Sequence, residues 1–218
     1  MLEIAREQIL AGNNQYPPAR GLPDLRRAIC EDRVRNFDIE YDPASEALVT
    51  AGATEAIAAT MLGLVEPGSE VILIEPYYDS YAAAVALAGA TRVSVPLVAD
   101  GVGFRLDLDA LRAAVTDSTA MIVVNSPHNP TGTILTHAEL TAIAELAVER
   151  DLLVLSDEVY ERLTFDLPHV PIASLPGMGS RTITVSSAGK SFNVTGWKIG
   201  WALASEPLLE GCSPRNSS

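Results

Sequence analysis

Cysteine is scarce in this chain of 218 residues. There are two, Cys30 and Cys212, with no CxxC pair and no histidine at metal-ligand spacing. That pattern excludes a disulfide-stapled scaffold and a structural zinc site, so no metal is expected, and a reducing cytoplasm is the compartment that fits. Basic side chains are also few, 15 Lys and Arg against 28 Asp and Glu, for a formal net charge of -13. The one local basic cluster, Arg20, Arg26, Arg27, Arg33 and Arg35, is interleaved with Asp24, Glu31 and Asp32. A nucleic-acid backbone would meet a repulsive field, which excludes nucleic acid as a partner. Long apolar runs are missing too. Those at 56–65 and 81–90 fall well short of the ~20 residues that cross a bilayer. The opening MLEIAREQIL carries Glu3, Arg6 and Glu7 among its apolar residues, the pattern of a short amphipathic helix and not of a signal peptide. No membrane partner is expected.

What is present is apolar substance: 48% of residues are hydrophobic and only 20% charged. A chain of this length and composition buries roughly 70% of its unfolded surface, so a packed core is expected and intrinsic disorder excluded. From about residue 48 onward short β-rich runs alternate with helical patterns. The runs are LVT, VILIE, RVSVPL, MIVVN, LLVLS, TITVS and IGWALA. Between them, 54–65 and 138–149 repeat apolar residues at helical spacing, and Thr136 with Glu139 has the form of a capping box. Glu66-Pro67-Gly68-Ser69 is a helix stop and turn. This alternation predicts an α/β fold, a mainly parallel seven-stranded sheet with helices on both faces. Residues 1–45 read as an N-terminal segment with a helix around 24–36, residues 46–207 as the main domain, and 208–218 as an irregular tail.

In such a sheet ligands bind outside the carboxyl ends of the strands, so the residues just after each run are informative. After LVT, the small residues Ala51-Gly52-Ala53-Thr54 open a helix whose free N–H groups could hold a phosphate, or form an ordinary tight turn. After MIVVN, the two prolines of Ser126-Pro127-His128-Asn129-Pro130 fix a loop that aims Asn129, or merely make an Asn-Pro turn. After LLVLS comes Asp157, a carboxylate that is costly to hold without a cation or hydrogen bonds, unless it only caps a helix. After TITVS comes Ser187-Ala188-Gly189-Lys190-Ser191. As a P-loop it fails, because Thr184 stands where the first glycine belongs. As a penicillin-binding S-x-x-K site it fails, because S-D-N and K-T-G are missing. A Schiff-base lysine for pyridoxal phosphate remains, and it wants a carboxylate for the ring nitrogen and a phosphate cradle. Asp157 and the Ala53/Thr54 turn are candidates for both.

Five ordered blocks, GATEAI, EPYYDSY, NSPHNPTG, SDEVYE and SSAGKSFNVTGWKIGW, then carry a resemblance from Asn13 to about Pro207. The chain resembles the fold type I pyridoxal-phosphate-dependent aminotransferases of class I/II. Within them it is similar to the branch containing N-succinyldiaminopimelate and kynurenine aminotransferases. The resemblance implies amino transfer between an amino acid and a 2-oxo acid, with Lys190 forming the Schiff base with pyridoxal 5'-phosphate. Asp157 would pair with the ring nitrogen, Asn129 and Tyr160 with the ring hydroxyl oxygen, and Tyr78 would stack on the ring. Ala53, Thr54, Ser187 and Lys198 would hold the phosphate. Lys198 stands where many members have Arg, keeping the charge but not the bidentate fork. Tyr16 matches a tyrosine that reaches the phosphate of the neighbouring subunit, which implies a homodimer.

The family also has a smaller domain with a long C-terminal part that carries the arginine for the substrate carboxylate. Read against that pattern, the chain is expected to be truncated and to lack the small domain. Two alternatives to amino transfer stay open on the sequence: a non-catalytic cofactor-binding fragment, and a pyridoxal-phosphate-dependent C–S β-lyase. His128, His137 and His169 receive no catalytic role, and the last two are expected in solvent-like surroundings.

Overall fold

The computed structural model describes residues 2–101 and 103–212. The chain begins with α1 (Leu2–Leu10), which buries none of its residues, and an extended stretch leading to α2 (Pro23–Phe37). Each of the seven apolar runs then forms a strand: β1 (Ala47–Ala51), β2 (Glu70–Glu75), β3 (Thr91–Ala99), β5 (Thr119–Asn125), β6 (Leu153–Asp157), β7 (Thr182–Ser187) and β8 (Ile199–Leu203). An eighth strand, β4 (Phe104–Leu106), pairs antiparallel with β3 at the sheet edge. The expected seven-stranded sheet is therefore corrected to eight, because three residues are too few to show a periodicity. The order is β1-β8-β7-β6-β5-β2-β3-β4. The pairs β7–β6, β6–β5, β5–β2 and β2–β3 are parallel, while β8 runs antiparallel to both β1 and β7.

The sheet is sandwiched because its central strands are apolar on both faces, as continuous hydrophobic runs require. Successive side chains point to opposite faces. Val71, Leu73, Val123 and Leu155 thus face α3 (Ala53–Leu64), α4 (Asp79–Leu87) and α8 (Glu206–Cys212), packing on Ile57, Met61, Val85 and Leu209. Ile72, Ile74, Ile122 and Val154 face α5 (Leu108–Ala114) and α6 (His137–Glu149), packing on Leu111, Leu140 and Ile143. A smaller cluster joins Ile29 and Cys30 of α2 to Trp201 and Leu203 of β8. The expected capping box opens α6, with Thr136 Oγ1 accepting from Glu139 N–H and Glu139 accepting from Thr136 N–H.

Two sequence expectations need correction. Residues 208–212 were expected to be irregular but belong to α8, which buries Leu209 and Cys212. The helix packs because a glycine on each side allows close approach: a Cβ on Gly63 of α3 would stand 2.1 Å from the Gly211 carbonyl oxygen. Residues 213–218 of the expected tail lie outside the described residues. His169, expected near solvent, has a buried side chain with Nε2 3.0 Å from Glu158 Oε2 and its ring edge-on to Phe37. No helix among the described residues is long and apolar enough to cross a membrane.

A candidate cofactor pocket at the strand ends

The carboxyl ends of β5, β6 and β7 and the start of α3 surround a cavity of about 200 Å³. Every candidate residue except Tyr16 lines it: Ala53, Thr54, Tyr78, Asn129, Asp157, Tyr160, Ser187, Lys190 and Lys198. Tyr16 is 99% exposed, outside the cavity on the stretch between α1 and α2.

Asp157 closes β6 between Asn125 on β5 and Val185 on β7, and it is only 3% exposed. One carboxylate oxygen accepts from the Tyr81 hydroxyl at 2.6 Å and the other from the Val159 N–H at 3.2 Å. Burial raises its pKa to about 6, against the downward pull of those two donors. The neighbouring Asn125 donates to the Asp157 carbonyl at 2.9 Å and accepts from the Asn129 N–H at 2.7 Å. That single amide ties the Asn-Pro loop to the carboxylate strand. His128 folds back within the loop, its Nδ1 2.8 Å from Thr131 Oγ1.

Lys190 sits on α7 (Ala188–Ser191), the single turn that follows β7, with its Nζ 5.3 Å from the Tyr160 ring centroid. Ser187, the last residue of β7, is the N-cap of that turn. Opposite them Gly52, at φ +80°, turns the chain from β1 into α3, whose first N–H groups have no partner within the helix. Glu55 accepts from the Ala51 N–H and braces the turn. β8 runs hard against it: a Cβ on Gly200 would lie 2.3 Å from the Gly52 carbonyl carbon and 2.5 Å from the Ala53 nitrogen. Lys198, left-handed at φ 54°, brings its cationic side chain to the same turn. Tyr78 precedes α4, and hydrogen bonds to Ser80 and Thr54 lower its phenol below the ordinary value.

Sequence reasoning missed the contact of Tyr81 with Asp157 and the tie made by Asn125. The place of Tyr81 in the first turn of α4, three residues after Tyr78 at the N-cap, was the available signal. It also missed a charge network on the side of β6 opposite Asp157. There Arg33 of α2 donates to Glu158 at 2.9 Å and Glu161 at 2.7 Å, with its guanidinium 4.4 Å over the Phe37 ring. Burial raises the Glu158 carboxyl, but Arg33 and then His169 outweigh it and hold the group at about 2. Glu158, Glu161 and His169 bring metal-ligand atoms within 4.8 Å of one another, but the Arg33 guanidinium already occupies an oxygen of each carboxylate.

The chain is 61% identical over 212 residues to the probable N-succinyldiaminopimelate aminotransferase DapC of Mycobacterium tuberculosis, covering 97% of this chain and 53% of that protein. It is 43% identical over 209 residues to an aspartate aminotransferase of Pyrococcus abyssi, covering 95% of this chain and 54% of that protein. The solved structure of N-succinyldiaminopimelate aminotransferase from Mycobacterium tuberculosis superposes with a TM-score of 0.96 at 60% identity, over 97% of this chain and 55% of that one. The chain spans about half the length of the curated relatives it matches. The family model for aminotransferase class I and II matches residues 2–217, and the chain belongs to that family.

Proposed function

We propose that this chain is the cofactor-holding part of an aminotransferase that uses pyridoxal 5'-phosphate to move an amino group between an amino acid and a 2-oxo acid. Residues 46–207 form its cofactor domain and 1–45 its N-terminal segment. One observation carries the reading: a buried carboxylate, an amine and a helix N-terminus converge on one cavity, in Asp157, Lys190 and the start of α3. The residues fit the group. Gly52, at φ +80°, turns the chain into α3 with the Lys198 side chain beside it, so that a helix N-terminus and a cation stand together, as a bound phosphate needs. The Asp157 carboxyl, pushed up by burial, gains from a cationic neighbour that no residue of the cavity supplies by direct hydrogen bond.

When bound, the cofactor supplies an electron-accepting ring that weakens the substrate Cα–H bond. Asp157, ionised, would hold a proton on the ring nitrogen. Lys190 Nζ would carry the covalent attachment and, as a free amine, would serve as the base for the Cα proton. Asn129 and Tyr160 would hydrogen-bond the ring hydroxyl oxygen, and Tyr78 would lie against the ring. Ala53 and Thr54 N–H groups, with Ser187 and Lys198, would hold the phosphate. Tyr16, fully exposed and ahead of α2, is free to meet a second copy; there it would reach the phosphate of that subunit's site, which makes the working unit a homodimer. The free, buried Cys30 and Cys212 accord with a cytoplasmic location. The relatives that the chain matches are aminotransferases, which favours transfer over elimination.

The test is an absorbance spectrum of the chain with pyridoxal 5'-phosphate, before and after borohydride reduction, beside a Lys190→Ala variant. Covalent label mapped by mass spectrometry to Lys190, and lost in the variant, is the expected result. Equal diffuse labelling of both proteins would overturn it.

A further inference from the structure

We propose that Tyr81 is a positioning residue for the cofactor pocket, fixing the Asp157 carboxylate with its hydroxyl and the Tyr78 ring with its own. The inference rests on the reading of the cavity given above and deepens it. Tyr81 is 2% exposed on α4, one turn after Tyr78, and its hydroxyl crosses to β6 to meet Asp157 Oδ2 at 2.6 Å. Its ring meets that of Tyr78 edge-on, with centroids 5.8 Å apart and planes at 87°, the geometry in which a positive ring edge faces a negative ring face. One side chain therefore sets two surfaces of the cavity, the carboxylate at its floor and the aromatic wall.

The chemistry is directional. An ionised carboxylate only accepts, so the phenol proton is committed to Oδ2, and the Val159 N–H is committed to Oδ1 at 3.2 Å. The Val159 donor is backbone and common to any side chain there. Tyr81 is the donor that the sequence chooses. Without it, Oδ2 loses its hydrogen-bond donor, and a hydrogen bond to a charged group under burial is the strong kind. Asp157 then holds its own proton more tightly and is free to rotate about the remaining bond, which weakens its hold on a cationic ring nitrogen. Lys190 and Lys198 share the cavity, Glu158 adjoins Asp157 on the chain, and Tyr78 and Tyr160 line the walls. All of these persist in a Tyr81→Phe variant, so a change in Asp157 titration belongs to the hydroxyl.

The test uses the cofactor-free chain with 13C-labelled aspartate carboxyls, the Asp157 signal being identified by its loss in Asp157→Asn. In Tyr81→Phe its titration midpoint is expected to move up by about one to two pH units. Pyridoxal 5'-phosphate affinity, measured by dialysis, is expected to fall about tenfold or more, and further in Tyr81→Ala, where the Tyr78 ring also loses its support. An unchanged midpoint in Tyr81→Phe would overturn the proposal. If that variant does not fold, the wild-type Tyr81 13Cζ signal decides: it must follow the Asp157 inflection and lose it in Asp157→Asn. A signal indifferent to Asp157 overturns the inference equally. Failure of the wild type to label at Lys190 would instead strike the functional reading and leave the carboxyl titration standing on its own result.

Discussion

Arg33 carries a full charge at 2% exposure, which its two carboxylate partners make tolerable. Cutting it back to alanine leaves Glu158 and Glu161 buried side by side without their shared guanidinium, the arrangement that single-partner removal makes most damaging. Arg33→Ala is expected to lose about 3–5 kcal/mol of stability in urea denaturation, while Arg27→Ala, on the exposed side of the same helix, loses under about 1 kcal/mol. Equal effects would show that the network contributes nothing. The contrast also explains what the sequence conceals. Arg33 reads there as one member of a solvated cluster of mixed charge, because its partners lie 125 and 128 residues further along the chain. His169 is hidden because its ring packs on Phe37, far back along the chain. Asp157, by contrast, was legible because its meaning is local: a carboxylate placed where an apolar strand ends.

Elements were readable to the extent that their signals were short-range. The capping box of α6 is spelled out by Thr136 and Glu139 alone, and Thr136→Ala is expected to lose about 1 kcal/mol of stability, measured by thermal unfolding. β4 and α8 were not readable, since three residues carry no period and α8 owes its place to α3, through Gly63 and Gly211. The meeting of β8 with the α3 turn is likewise a contact between distant segments. In Gly200→Ala the new methyl meets the Gly52 and Ala53 backbone, which cannot swing aside as a side chain can. The start of α3 must shift, so phosphate holding is expected to suffer more than the fold. Pyridoxal 5'-phosphate affinity should drop about tenfold or more at a stability loss of about 1–3 kcal/mol. Wild-type affinity in this variant would refute the role given to the turn.

Across the whole molecule, the two neighbouring carboxylates on β6 and just after it impose opposite pH dependences, because one faces an open cavity and the other a cation. Glu158, held at about 2 against an ordinary 4.5, contributes stability that is complete above pH 4.5 and lost as pH falls toward 2. Asp157, raised from 3.8 to about 6, contributes stability that is complete below 3.8 and lost as pH rises through 6. The cofactor-free chain thus carries a penalty at neutral pH that a cation at the Asp157 carboxylate would remove. Glu161 is also pushed up by burial, so the Asp157 contribution is best isolated as a difference between proteins. Replacing Asp157 by Asn adds a pH-independent offset from the changed hydrogen bonds and deletes the titration. The stability of Asp157→Asn relative to wild type is therefore expected to rise by roughly 2–3 kcal/mol between pH 4 and 7, read from urea midpoints at each pH. Pyridoxal 5'-phosphate should reverse the order at pH 7, since a ligand that binds only the folded state stabilises it in proportion to its affinity, and the wild type alone has the charge to pair. A difference flat in pH would mean that Asp157 stays ionised without a partner, and the cavity would then lack the electrostatic demand on which its function depends.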